Sequence, residues 1–150
     1  MSDEDFCRRA IQANALIDHP TSPWSPTNMF VGSDAPTVTI TFDQGVPVAI
    51  DGETVTMLQA VQELNWRVGG SGQPGAATLI AAHRQLEDRT VEPDLLRFKR
   101  QVERRWAKLV EDGGWTSPLR EALDAFITTS QEHVTGEVRL DLRDRLSPAA

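Results

Sequence analysis

The chain has no tyrosine and a single cysteine, Cys7, among its 150 residues. One thiol excludes an internal disulfide and suits a reducing compartment. Histidine is nearly as scarce. His19, His83 and His133 are scattered and form no HxxxH or HExxH pair, so no zinc signature is present. No uninterrupted apolar run approaches the roughly 18 residues a membrane span requires. The opening MSDEDFCRRA is acidic and polar, whereas a secretory leader would be basic and then apolar. A cytoplasmic protein with no membrane partner is the expectation. Positive charge is short as well: 15 Lys and Arg stand against 22 Asp and Glu, a net −7. Long-range attraction to phosphate backbones would carry the wrong sign, so no nucleic-acid partner is expected.

What is present suffices for one globular domain. Apolar residues make up 39% and charged residues 25%. A chain of this length buries roughly 70% of its unfolded surface without covalent staples. The segment 1–37 reads as an amino-terminal arm or short helix followed by an extended connection. Its later part, HPTSPWSPTNMFVGSDAPT, is crowded with Pro, Ser and Asp, and Trp24 and Phe30 are its expected anchors.

Residues 38–150 carry the periodic patterns. VTITF alternates with period two, sending Val38, Ile40 and Phe42 to one side. Asp43-Gln44-Gly45 is turn chemistry, VPVAI a second strand, and Asp51-Gly52 a second tight turn toward ETVT. Thr56 and Gln59 then form a capping-box pattern ahead of Met57, Leu58, Val61 and Leu64. WRVGGSGQPG, with four glycines and a proline, breaks that helix. ATLIAAHRQLE predicts the next helix. Thr90 is the expected cap of the one after it, with Leu95, Phe98, Val102, Trp106 and Leu109 at helical spacing and Gly113-Gly114 as its stop. Ser117-Pro118 opens a further helix with Leu119, Leu123, Phe126 and Ile127 as its buried face. Finally EVRLDL returns to period two, with Val138, Leu140 and Leu142 inward. The order strands, helices, strand predicts an α+β fold: a small antiparallel sheet, the late strand joining the early hairpin, packed with three to four helices.

Few residues point to chemistry. Ser130 and His133 lie three apart, without the orienting acid and oxyanion hole a triad needs. Arg8 and Arg9 flank Cys7 and would lower its pKa. GGSGQPG lacks the Lys-Ser or Lys-Thr ending of a P-loop and follows a helix, not a strand. LRFKRQVERR gathers Arg97, Lys99, Arg100, Arg104 and Arg105, which reads as an amphipathic helix with a basic outer face suited to an acidic protein partner.

Several blocks resemble one family. VTITFDQGVPVAIDG, PGAATLIAAHRQLE, GGWTSPLREALDAFITTSQEHVTGEVRLDL and SDEDFCRRAIQANALID are similar, in order, to the C-terminal domain of argininosuccinate synthase. That resemblance implies descent from an enzyme that joins citrulline to aspartate using ATP. It also implies that ATP and magnesium would come only through a partner subunit, since the family's Ser-Gly-Gly pyrophosphate loop belongs to another domain. At three matching pocket positions this chain has Met1 and Ala10 in place of serines and Gln12 in place of an acidic residue. Where the family carries a long loop with a substrate-binding Glu and Tyr, this chain has only WRVGGSGQ. Each lost charge-assisted contact is worth about 1.5–3 kcal/mol, so a degenerate citrulline pocket follows. The family's continuation into a further strand and a tetramer-forming helix is not seen after SPAA.

Two functional expectations result. One is a helper subunit of a split ATP-dependent C–N ligase, docking to a separately encoded ATP-binding half through Trp24, Trp66, Arg67, Arg97, Arg100, Arg104 or Trp115. The other is a non-catalytic scaffold that self-associates. An independent small enzyme built on Ser130, His133 or Cys7 ranks behind both.

Overall fold

The computed structural model describes residues 2–17, 37–69, 73–142 and 147–148. Met1, His19, Trp24 and Phe30 lie outside the described residues.

Helix α1 (Asp3–Gln12) is started by Ser2, whose side chain accepts a hydrogen bond from the Asp5 amide, with acidic residues filling its first turn. It ends in a Schellman arrangement. Asn14 takes a left-handed φ of 51°, its amide donating to the Ile11 carbonyl and that of Ala15 to the Ala10 carbonyl. Strands β1 (Thr37–Asp43) and β2 (Val46–Ile50) follow as a hairpin. Gln44 and Gly45 both have positive φ, as a two-residue type I′ turn requires. Asp51-Gly52 makes the same turn into the short β3 (Glu53–Thr54). Thr56 and Gln59 close the expected capping box on α2 (Met57–Val68).

Helix α3 (Pro74–Thr90) packs closely against α2. A Cβ on Gly75 would stand 2.2 Å from the Val61 carbonyl oxygen, so only glycine permits this approach. Helix α4 (Pro93–Glu111) is capped by Glu92, whose carboxylate accepts from the amides of Asp94 and Leu95. Thr90 is therefore not its cap; it ends α3, its hydroxyl bonded to the Leu86 carbonyl. Proline at the first helical position moves the start two residues on from the threonine. Helix α5 (Pro118–Ser130) begins with Ser117 and Pro118 as expected.

Strand β4 (Gly136–Asp141) pairs antiparallel with β1, and β5 (Ser147–Pro148) lies beyond it, giving the order β3-β2-β1-β4-β5. The fold is α+β: this antiparallel sheet packed with five helices. Val38, Ile40 and Phe42 face Val138 and Leu140 in the main core, against Ile50, Leu64, Leu79 and Leu86. A second core holds Val102, Trp106, Val110 and Ile127. Helix α1 joins them, giving Cys7 and Ile11 to the first and Ala10 to the second.

The buried stripe of α4 runs through Lys99, Val102, Glu103, Trp106 and Val110, turned from the line the apolar residues suggested. Leu95 and Phe98 stay 37% and 53% exposed, and Leu119 of α5 stays 39% exposed. Two charged side chains have taken the inward positions. No described helix is long and apolar enough to cross a membrane.

Candidate functional site

The two cores meet at a cluster of buried polar groups. The left-handed turn after α1 aims Asn14 at α3 and α4, where its amide nitrogen donates to Glu87 at 2.8 Å and Glu103 at 2.7 Å. Its carbonyl oxygen faces His83 Nδ1 at 2.7 Å. His83 and Glu87 sit one turn apart on α3; Lys99, Arg100 and Glu103 share one face of α4. Lys99 Nζ donates to the Gln12 carbonyl at 2.6 Å and pairs with Glu87 at 2.8 Å and with Glu103. Arg100 reaches Glu87 and Glu103, each at 2.9 Å. Gln131, after α5, closes the far side: its nitrogen donates to Glu87 at 2.9 Å and its oxygen lies 2.5 Å from His83 Nε2.

Two cations and two carboxylates make the cluster neutral, the arrangement that keeps buried charge tolerable. Burial alone would raise Glu87, but His83, Lys99 and the hydrogen bonds from Lys99 and Asn14 draw its carboxyl down to about 2. Burial, joined by the Lys99 and Arg100 charges, pushes His83 down to about 4 against the pull of Glu87. A neutral ring donates through one nitrogen only, while both nitrogens face amide oxygens whose orientation the carboxylates fix. One contact therefore sets a lone pair against an oxygen. Burial outweighs this, because it acts on the charge itself and the neighbouring cations reinforce it.

His83, Glu87 and Lys99 have no solvent exposure, and their polar groups face one another, not solvent. The cluster orients the helices; it offers no nucleophile or base to a substrate. Only Asn14, Arg100 and Glu103 reach solvent, at a cleft of about 440 Å³ flanked by Ala15, Ile17 and Ala107.

The residues singled out from sequence fall in separate places. Ala10 is wholly buried in the second core. Gln12 donates to the Gln44 carbonyl at 2.9 Å and accepts from Arg9 at 3.0 Å. Arg67 has a side chain 3% exposed, held by Glu63 and Asp51. Trp115 packs on Phe6 with centroids 5.2 Å apart and lies under the Arg120 guanidinium. Trp66 is exposed, as are Arg97, which pairs with Asp94, and Arg104. Ser130 is buried, its hydroxyl donating to the Ile127 carbonyl, while His133 points to solvent. Burial pushes the Cys7 thiol up to about 12, with Glu4 and Asp3 adding to it, so the flanking arginines do not activate it.

Sequence reading missed the cluster itself. One signal was available: stepping back from Val110 and Trp106 by helical spacing lands on Glu103 and Lys99, charged residues on an apolar line.

Among the described residues no group of three or more His, Cys, Asp or Glu is placed to hold a metal. The amide of Gly75, at the start of α3, donates to Asn65 Oδ1 at 2.7 Å, so this helix-start N–H is already bonded within the fold. A family model described as the arginosuccinate synthase C-terminal domain matches residues 2–73 and 69–144. The two matched stretches overlap at 69–73; Trp66, Arg67 and Val68, expected to break the helix, are the last residues of α2, which ends at its cap Gly69.

Proposed function

The chain belongs to the argininosuccinate synthase C-terminal domain family, and on that premise we propose that it is the non-catalytic helper half of a split, cytoplasmic ATP-dependent C–N ligase. A separately encoded subunit supplies ATP and magnesium, and ligation occurs only in the complex. One observation carries this reading. Where the resemblance places a substrate-binding hydroxyl and carboxylate, Ala10 is packed into the core and Gln12 is committed to Gln44 and Arg9. On the resemblance, positions that would bind substrate in the family serve packing and hydrogen bonding here. The test is co-expression with candidate ATP-binding subunits, followed by co-purification and pyrophosphate release with amino-acid pairs. A stable complex that turns over, beside an inert isolated chain, is expected. Pyrophosphate release and C–N bond formation by the isolated chain would sink the proposal.

A second reading, a self-associating scaffold, is favoured by the exposed Leu95, Phe98 and Leu119 of α4 and α5. Phe98 meets Phe126 edge-on with centroids 5.4 Å apart. Sedimentation of the chain and of Phe98→Glu decides it: the reading requires a dimer or larger that the substitution dissociates.

A further inference from the structure

We propose that the trough between α3 and α4 docks an extended acidic segment of a partner protein. The proposal deepens the helper-half reading and rests on it for the partner. The 440 Å³ cleft and a second concavity of about 390 Å³ adjoin at Arg84 and Arg100, which line both and make them two parts of one trough between the helices. It reaches Arg104 at one end and Arg97 at the other.

Arg97, Arg100 and Arg104 recur at steps of three and four on α4, about 4.5 and 6 Å apart along the axis, while Arg84 faces them from α3. Same-side side chains of an extended segment recur every ~6.6 Å, so three alternate carboxylates span about 13 Å against about 10.5 Å for the three arginines, a difference within the reach of the long arginine side chains. The cations are not equally available. Arg100 is neutralised from behind by Glu87 and Glu103. Among the described residues Arg97 holds only an exposed pair with Asp94, of the kind worth little. The Arg84 and Arg104 side chains are exposed and make no ion pair or hydrogen bond among the described residues.

Asp88 and Glu111 line the two concavities as well, which limits the attraction to a short stretch. That favours a few carboxylates over a long polyanion. At physiological salt the screening length is about 8 Å, so a short acidic segment senses the local arginines, while a longer chain of charge meets the surface of a protein carrying −7.

The test uses the full chain and a fluorescein-labelled peptide of alternating glutamate and alanine, titrated by anisotropy at about 50 mM salt. Saturable binding is expected, weakened about tenfold or more in R84Q/R104Q. It should hold within about twofold in R105Q/K108Q, whose exposed targets lie outside the trough. A melting curve checks that each variant is folded; single R84Q and R104Q replace a double variant that is not. Lack of saturable binding, or equal loss in both variants, overturns the proposal. Displacement by free glutarate at the peptide's own affinity overturns it in favour of a small-carboxylate site, and tighter binding of a single-stranded oligonucleotide at the same arginines overturns it in favour of nucleic acid. Failure of the peptide with intact co-purification of an ATP-binding subunit rejects the trough alone. Failure of co-purification with intact peptide binding rejects the helper-half reading alone.

Discussion

Asn14 Nδ2 lies 2.8 Å from a carboxylate oxygen of Glu87, 73 residues along the chain. Asn14 is also the left-handed residue that ends α1. One residue thus closes a helix with its backbone and ties it with its side chain to α3 and α4.

Removing the central cation should be severe. Lys99→Met leaves Glu87 and Glu103 facing each other with Arg100 as their remaining cation. Breaking a buried pair from one side costs roughly 3–5 kcal/mol. Urea denaturation should show a loss of that size; a change below about 1 kcal/mol would mean that the cluster stabilises nothing.

Acid should weaken the fold in two steps of the same sign. His83 is held down at about 4 in the folded chain against 6.5 in the open one, so the unfolded state binds the extra proton between those values. Stability is therefore present above pH ~6.5 and falls on the order of 3 kcal/mol as the pH drops toward 4. Glu87, at about 2 against 4.5, adds a loss that begins below 4.5. Denaturation midpoints followed from pH 7 to 4 check this. A flat profile over that range, or one that rises on acidification, would show that His83 is protonated in the fold.

Gly75→Ala should separate α2 from α3. The added Cβ meets the Val61 carbonyl oxygen at 2.2 Å and the Asn65 amide nitrogen at 2.8 Å, both backbone atoms that cannot turn away. Destabilisation of roughly 3 kcal/mol is expected in thermal or urea unfolding. Gly113→Ala, where nothing lies within 4 Å of the new carbon but φ is +84°, should cost only about 1 kcal/mol.

Installing at positions 10 and 12 the residues that the resemblance implies should not create a citrulline site. Ala10→Ser puts a hydroxyl into the second core, and Gln12→Glu exchanges the donor to the Gln44 carbonyl for an acceptor. The double variant should lose roughly 2 kcal/mol of stability. Calorimetry should detect no citrulline binding; micromolar affinity would show the pocket to be latent.

Cys7 should be inert in the folded chain. It has no solvent exposure, and its thiol is pushed up to about 12. Ellman's reagent should react only after urea is added, and rapid labelling of the native protein would contradict the packing of α1.

The sheet was legible in the sequence because period-two alternation and a two-residue turn fix strand faces locally. Val38, Ile40, Phe42, Val138 and Leu140 are buried as that pattern requires. Capping chemistry at Thr56 and Ser117 is equally local, involving residues three apart. The rotation of α4 was not legible. Leu95 and Phe98 are apolar enough to be core, yet they are exposed, while Lys99 and Glu103 are inside.

By itself, then, the sequence determined strands β1 to β4, most helix starts and the family, since each rests on neighbouring residues or on blocks of sequence; β5 at Ser147–Pro148 was not foreseen. Only the tertiary structure decided which charges are buried. Asn14, His83, Glu87, Lys99, Glu103 and Gln131 come from four separate stretches. A buried charge becomes tolerable only when opposite charges and hydrogen-bond donors from distant parts of the chain converge on it, and that convergence exists only once the helices have packed.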